Sequence, residues 1–325
     1  MRVLGRFVEI EVSRQPQYQE NVPLAQFSSY RIGGPARVYC EARNVEAVRE
    51  AVAEARQRGW RLFVLGGGTN LLIDDHGFDG LVLRPNLRVL EAEGTRVKVG
   101  AGMLVAEMLE FLVERGLAGL EWAGGLPGTV GGAVRGNAGA FGGEIKDTAV
   151  EVVSLNTETL ELTSRANADC GFGYRNSFFK QHPEEIILTT TFALREGDAS
   201  EIARVIEERK EYRRRRHPLE YPNIGSIFKN VDLKRVPDTV RELCAHVIKV
   251  DPFPVIPTAF LLSEAGLKGV RRGGAMISPK HPNFIVNIDH AASGDVRGLV
   301  AEAKQTILDR FGVELEEEIQ YVNGL

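Results

Sequence analysis

Cysteine is scarce in this chain: Cys40, Cys170 and Cys244 are odd in number, far apart and without a C-x-x-C pair. That excludes a disulfide framework or a cysteine-held metal and fits packing residues in a reducing compartment. The six histidines form no H-E-x-x-H or similar cluster, so no metal is implied. An excess of charge is lacking too: 40 Lys and Arg against 44 Asp and Glu leave a net charge of −4, which does not suit a nucleic-acid partner. No apolar run approaches the roughly 20 residues that cross a bilayer. The opening MRVLGRFVEIEVSRQ is broken by Arg6, Glu9 and Glu11, unlike a secretory signal. The expectation is a cytoplasmic protein with no membrane partner. Also absent are G-x-G-x-x-G and a G-K-[ST] ending, which sets aside Rossmann and P-loop nucleotide binding, and no fixed-period repeat is visible.

What is present fits a globular chain of two or three domains, since 325 residues exceed the roughly 100 to 200 of one domain. After a polar lead through about Glu20, Val45, Val48, Val52 and Ala55 fall at helical spacing, with Asn44 as cap and Gly59 as stop. A strand, RLFVLGGG, follows, then LLI and LVL as further strands. A second helix is expected over Leu104 to Arg115, stopped by Gly116. VEVVSLN and IILTTTFAL are strand candidates, and Asp198 opens a helix to about Arg216 that reads as the start of a new unit. Beyond it come a helix near Thr258 to Ala265, a strand NFIVNI, a helix from Ser293 to Phe311 and a last strand ending in EIQYV.

Two glycine-rich segments carry the chemistry of binding. Gly66, Gly67, Gly68, Thr69 and Asn70 end a strand, where glycines allow a tight turn and expose amides to an anionic group such as a diphosphate. From Gly124 to Gly143 nine of twenty residues are glycine, yet the stretch lacks serine and keeps Leu126, Val130, Val134 and Phe141. A flexible linker explains that badly, and backbone packed closely against a ligand explains it better. Pro127 and Thr129 sit in one turn of it, Gly131 and Gly132 in another, with the amide of Asn137 nearby.

GGGTNLLI and GLEWAGGLPGTVGGAVRGNAGAFGGE, with SSYRIGGPA upstream, resemble the FAD-binding half of the UDP-N-acetylenolpyruvoylglucosamine reductases (the MurB family), and the likeness runs from about Asn21 to the C-terminus. The resemblance implies an α+β protein. Its parts would be an N-terminal extension over 1–20, an FAD-binding unit of the vanillyl-alcohol-oxidase/PCMH type over 21–198 (subdomains about 21–83 and 84–198), and an α+β substrate-binding domain over 199–325. It implies non-covalent FAD held by Gly66, Gly67, Gly68, Thr69, Asn70, Leu71, Pro127, Thr129, Gly131, Gly132 and Asn137. NADPH would be the hydride donor and a UDP-sugar enolpyruvyl ether in peptidoglycan synthesis the substrate, with no obligatory protein partner.

Reducing an enol ether beside a carboxylate takes a hydride, stabilisation of the enolate and a proton for the neighbouring carbon. The family's motifs are similar to GSIFKN, GYRNSFFK and LEEEIQ here. They imply Ser226 as proton donor, Arg175 on the carboxylate and developing enolate, and a glutamate that stabilises or protonates the enol. On a strand Glu317 faces away from Glu316 and Glu318, and the motif's L-E-x-E register selects Glu318. Tyr174, Lys229 and Asn230 are taken as substrate contacts. Of the run Arg213 to Arg216, one or two are expected on the UDP diphosphate, with Arg214 chosen. The short connection from Tyr212 to Ser226 resembles the branch without an extra tyrosine-bearing loop. His217, Asn223, Ile224 and Gly136 depart from the usual pattern, and His281 is read as structural. The rivals are another FAD-dependent oxidase or dehydrogenase of the same superfamily acting on an alcohol, and a non-catalytic flavin or nucleotide-sugar binding module.

Overall fold

The computed structural model describes residues 16–250 and 253–323, so the sequence reading of 1–15 lies outside the described residues. The first unit is a mixed four-stranded sheet of β1 (Tyr18–Pro23), β2 (Pro35–Ala42), β3 (Arg61–Val64) and β5 (Phe78–Pro85), in the order β1-β2-β5-β3. β5 runs parallel to both neighbours, and its nearly continuous buried run is what a strand covered on both faces requires. Helix α1 (Val45–Gln57) covers this sheet with Ala47, Val48, Ala51, Val52 and Ala55. Asn44 caps it as expected, its side chain accepting from the Ala47 amide at 2.7 Å. Tyr18, Gln19 and Glu20, assigned from sequence to the N-terminal extension, belong to β1. Five of that strand's six residues are exposed, so it shows no apolar alternation to read.

β4 (Leu71–Ile73) leads away from the glycine loop. A five-stranded antiparallel sheet follows, built from β6 (Leu90–Glu93), β7 (Arg96–Gly100), β8 (Ala149–Asn156), β9 (Leu162–Ala166) and β10 (Glu185–Ala193) in the order β9-β8-β10-β7-β6. Its core takes in α2 (Val105–Glu114) through Val105, Met108, Leu109 and Leu112. It also takes in Ile202 and Ile206 of α3 (Ala199–Arg216). The sequence-based boundary was placed at 198/199, where a polar opening marks a new helix; the apolar stripe of that helix packs back onto Trp122, Ala123 and the preceding unit, and Ile224 belongs to the next core.

The last unit packs the helices Asp238–Cys244, Thr258–Glu264 and Ser293–Phe311 with a small antiparallel sheet whose central strand is Ala275–Ile277. Tyr30, Ile32 and Leu72, from the start of the chain, are part of this core. Tyr30 is fully buried and its hydroxyl donates to the Ile285 carbonyl at 2.7 Å, while Asn287 donates to the Tyr30 carbonyl. The Asp75 carboxylate accepts from the Ser293 amide and hydroxyl at the start of the long helix. Finally Gln320–Val322 adds to β4 in parallel, pairing Gln320 with Leu71 and Val322 with Ile73. Among the described residues no helix is long and apolar enough to cross a membrane, and no group of three or more His, Cys, Asp or Glu could hold a metal ion.

Tyr30→Phe removes the donor to a buried carbonyl while keeping the ring, so it should cost about 1–3 kcal/mol in urea unfolding. A loss below about 0.5 kcal/mol would mean that another donor serves Ile285.

Candidate active site

A cleft of about 1720 Å³ runs between the three units. At one end the loop Gly66–Asn70 lies against Gly128 and Thr129. A Cβ on Gly67 would stand 2.6 Å from the Gly128 Cα, and one on Gly68, whose φ is +64°, would meet the Phe27 carbonyl oxygen at 1.9 Å. Only glycine fits a backbone approach this close. The amides of Gly66 through Asn70 donate to no acceptor among the described residues. Five successive N–H groups in a partly buried turn require an acceptor from elsewhere, and a diphosphate satisfies them. Thr129 caps the short helix Val130–Arg135, accepting from Gly132. The cradle therefore fits the diphosphate of FAD.

Arg175 also lines this cleft. Gly173 and Asn176 exchange backbone hydrogen bonds at 3.0 and 3.1 Å, and the tight turn between them holds Arg175 in the left-handed region at φ +53°. That conformation costs a non-glycine residue on the order of 1–3 kcal/mol. It aims the guanidinium into the cleft, where Nε lies 2.6 Å from Glu318 Oε1 and Nη2 donates to the Gly139 carbonyl at 3.1 Å. Burial works against its charge, yet the facing Glu318 carboxylate prevails and raises its pKa above the usual arginine value.

Glu318 arrives by strand pairing. The Lys229 amide donates to the Glu316 carbonyl and the Glu318 amide to the Ile227 carbonyl, at 2.9 and 2.8 Å. The Asn70 side chain donates to the Glu318 carbonyl at 3.0 Å, so the glycine loop and the acid share one anchor. Ser226, one residue before this pairing, follows Gly225 at φ +83° and lines the cleft with its hydroxyl unbonded among the described residues. Glu316 instead pairs with Lys229 and Arg235, and Glu317 with Lys304. Three adjacent glutamates thus take three different surroundings.

Most of the residues singled out from sequence meet on the cleft wall: Gly66 to Leu71, Pro127, Thr129, Gly131, Gly132, Tyr174, Arg175, Ser226, Asn230 and Glu318. Three do not. Asn137 is fully buried and spends its amide internally, donating to the Gly173 carbonyl and accepting from the Lys146 amide, so its side chain braces the Arg175 turn. Arg214 points to solvent and pairs with Glu207 and Glu211 of its own helix. One residue back, 100° around the helix, Arg213 faces the cleft, with Nε on the Gly124 carbonyl and a buried Nη2 without a partner. Lys229 turns outward to Glu316. The sequence reading did not single out Arg135 or Lys180, two further cations on the cleft. Both stood inside quoted motifs, and a lone cation among glycines was the available signal for Arg135.

A glycine-lined diphosphate cradle facing an Arg–Glu pair and a free serine defines a flavin-dependent oxidoreductase cleft, and a family model described as an FAD binding domain matches residues 36–160. The model of the UDP-N-acetylenolpyruvoylglucosamine reductase C-terminal domain matches residues 217–322. The reductase of that name from Solibacter usitatus is 37% identical over 93% of this chain and 96% of its own length. That from Syntrophus aciditrophicus is 38% identical over 92% and 90%. The crystal structure of the reductase from Thermus caldophilus superposes with a TM-score of 0.72 at 28% identity, covering 95% of this chain and 99% of that one. The chain belongs to the UDP-N-acetylenolpyruvoylglucosamine reductase family.

His217 and His281 line the cleft beside Arg213, with ring centroids 5.6 Å apart and both against Phe284. Burial, helped by Arg213 at His217 and by Lys249 and Arg216 at His281, brings both pKa values down from 6.5 to about 4. Both are therefore neutral at pH 7 when folded. Between pH 6.5 and 4 the unfolded chain takes up protons on these rings and the folded chain does not, so stability is lost as pH falls through that window. The double variant His217→Gln, His281→Gln should show a shallower acid decline in urea unfolding between pH 7 and 4.5 than the parent. Parallel profiles would mean that the rings protonate in the folded state.

Proposed function

We propose that the enzyme reduces UDP-N-acetylglucosamine enolpyruvate to UDP-N-acetylmuramate in peptidoglycan synthesis, using bound FAD and NADPH. The observation that carries this reading is the meeting of Ser226, Arg175 and Glu318 in the cleft that also contains the diphosphate cradle. Gly66 to Leu71 with Pro127, Thr129, Gly131 and Gly132 would hold the FAD. When bound, that cofactor supplies the hydride that these side chains cannot.

Arg175 has the two roles that an enolpyruvyl substrate demands: a planar fork for its carboxylate, and a fixed positive charge where enolate charge develops. Glu318 keeps the guanidinium oriented and is near enough to share in protonating or stabilising the enol. Ser226 delivers the proton to the carbon beside the carboxylate, and its unbonded hydroxyl supports a donor that need break no existing hydrogen bond. Tyr174 and Asn230 line the same wall, which supports contact with the substrate. Arg213, half-buried with an unpartnered nitrogen, takes the diphosphate role first given to Arg214. The FAD-binding unit then extends through α3 to 216, and the substrate-binding part begins at 217. A nucleotide sugar and NADPH are cytoplasmic metabolites, and we place the enzyme there.

The test is anaerobic. Flavin-loaded protein reduced by NADPH should regain its oxidised absorbance when UDP-N-acetylglucosamine enolpyruvate is added; reoxidation by oxygen alone would leave an oxidase of the same fold. Ser226→Ala should slow the substrate-driven step by about 10²–10⁴ and leave reduction by NADPH nearly unchanged. Arg213→Met should raise the substrate concentration needed for half-maximal rate about tenfold, as loss of one charged hydrogen bond implies, whereas Arg214→Ala should stay close to the parent. The reverse order would return the diphosphate to Arg214.

A further inference from the structure

Lys180 lies five residues beyond Arg175 on the turn of helix Phe178–Gln181, which Ser177 caps. Its side chain reaches back into the cleft wall, and Nζ donates to the Arg175 carbonyl at 2.9 Å. The turn that holds Arg175 is pinned at three points: Asn137 donates to the Gly173 carbonyl, Lys180 to the Arg175 carbonyl, and Ser177 to the Arg135 carbonyl at 2.7 Å. Of these, only the Lys180 bond acts on the residue in the left-handed conformation. Burial, then the neighbouring Lys229, lowers the Lys180 pKa from its ordinary value. The ammonium therefore sits where charge is disfavoured, with Arg135 and Arg175 nearby and only the Glu318 carboxylate acting the other way. A lysine needed only to close a surface turn would reach water instead.

We propose that Lys180 is a positioning residue for Arg175: its bond to the carbonyl locks the left-handed backbone, and that lock sets the guanidinium against Glu318 and toward the substrate carboxylate. Released from it, Arg175 relaxes toward ordinary backbone angles and its guanidinium swings off the line it shares with Glu318 and the Gly139 carbonyl. This rests on the role given to Arg175 above. Lys180 acts on the substrate-driven half of the cycle and leaves the diphosphate cradle intact, since its side-chain hydrogen bond is to the Arg175 carbonyl and not to the glycine loop.

The test is a double-mutant cycle of Lys180→Met with Arg175→Lys, read by anaerobic stopped-flow on the flavin-loaded enzyme. Lys180→Met is expected to slow flavin reoxidation by the enolpyruvyl substrate at least tenfold. Reduction by NADPH should stay within about threefold, and bound FAD and melting temperature should match the parent. Lys180→Arg, which can still donate to the carbonyl, is expected to recover most of the rate. In the Arg175→Lys background, Lys180→Met is expected to cost less than a further twofold, because residues acting as one unit are not additive. Additive losses, equal losses in both half-reactions, or no loss at all would overturn the proposal. Should Lys180→Met fail to hold flavin, Lys180→Gln carries the same cycle. If Arg175→Lys itself reoxidises at the parental rate, the role of Arg175 fails. If Arg175→Lys is slow and Lys180→Met is not, only the positioning proposal fails.

Discussion

The cleft exists because the end of the chain returns to its beginning. Ile227 and Lys229 bond to Glu318 and Glu316, Gln320–Val322 lies along β4, and Asn70 ties its side chain to the Glu318 carbonyl and its own carbonyl to the Gln320 amide. Without that pairing Glu318 has no reason to face Arg175, Ser226 is not held at the cleft wall, and the glycine loop loses one side of its support. Tyr30, Asn287, Asp75 and Ser293 fasten the same two ends together from behind. Backbone hydrogen bonds suit this task, because register along a strand is set in whole residues, and one residue decides which glutamate enters the site.

Charge in the cleft is distributed unevenly, with a purpose that follows from the desolvation cost. Among the described residues Arg175 alone of the inner cations has a carboxylate in contact, Glu318, and a part-buried pair of this kind is weak evidence of added stability. Among the described residues Arg135 and Arg213 are half-buried without such a partner, and burial lowers the pKa of each. Cations left uncompensated in a low-dielectric wall attract anions strongly when these arrive. A cofactor with a diphosphate and a substrate with both a diphosphate and a carboxylate bring the missing negative charge. The neutral histidines at 217 and 281 fit the same scheme, since a further positive charge beside Arg213 is opposed by its neighbours.

Helix α1 with its Asn44 cap, the strands RLFV and LLI, and both glycine-rich segments were legible because each leaves a local mark: an apolar stripe, a capping side chain, or a position where any Cβ would strike backbone. The edge strand β1 left none, having one buried residue in six. α3 was visible as a helix, but its packing partner was not, since Ile202 and Ile206 look the same whichever core receives them. In the site, Ser226, Arg175 and Glu318 were singled out through motif context and line one cleft, whereas three of the flanking candidates do not. Asn137 shares a segment with the cradle glycines yet points into the protein, and Lys229 shares a motif with Ser226 yet faces outward.

By itself the sequence determined the class of fold and the cofactor type, and it brought forward three candidate reactive side chains, because all of these depend on residue types at short, ordered spacings. Tertiary structure alone decided which of two adjacent arginines meets the cleft, which buried amide is spent on the backbone, and that Lys180 grips the Arg175 carbonyl. Such choices turn on 100° of helix rotation, the alternation of a strand, or a hydrogen bond across a turn, and these directions become definite only when the elements are packed against one another.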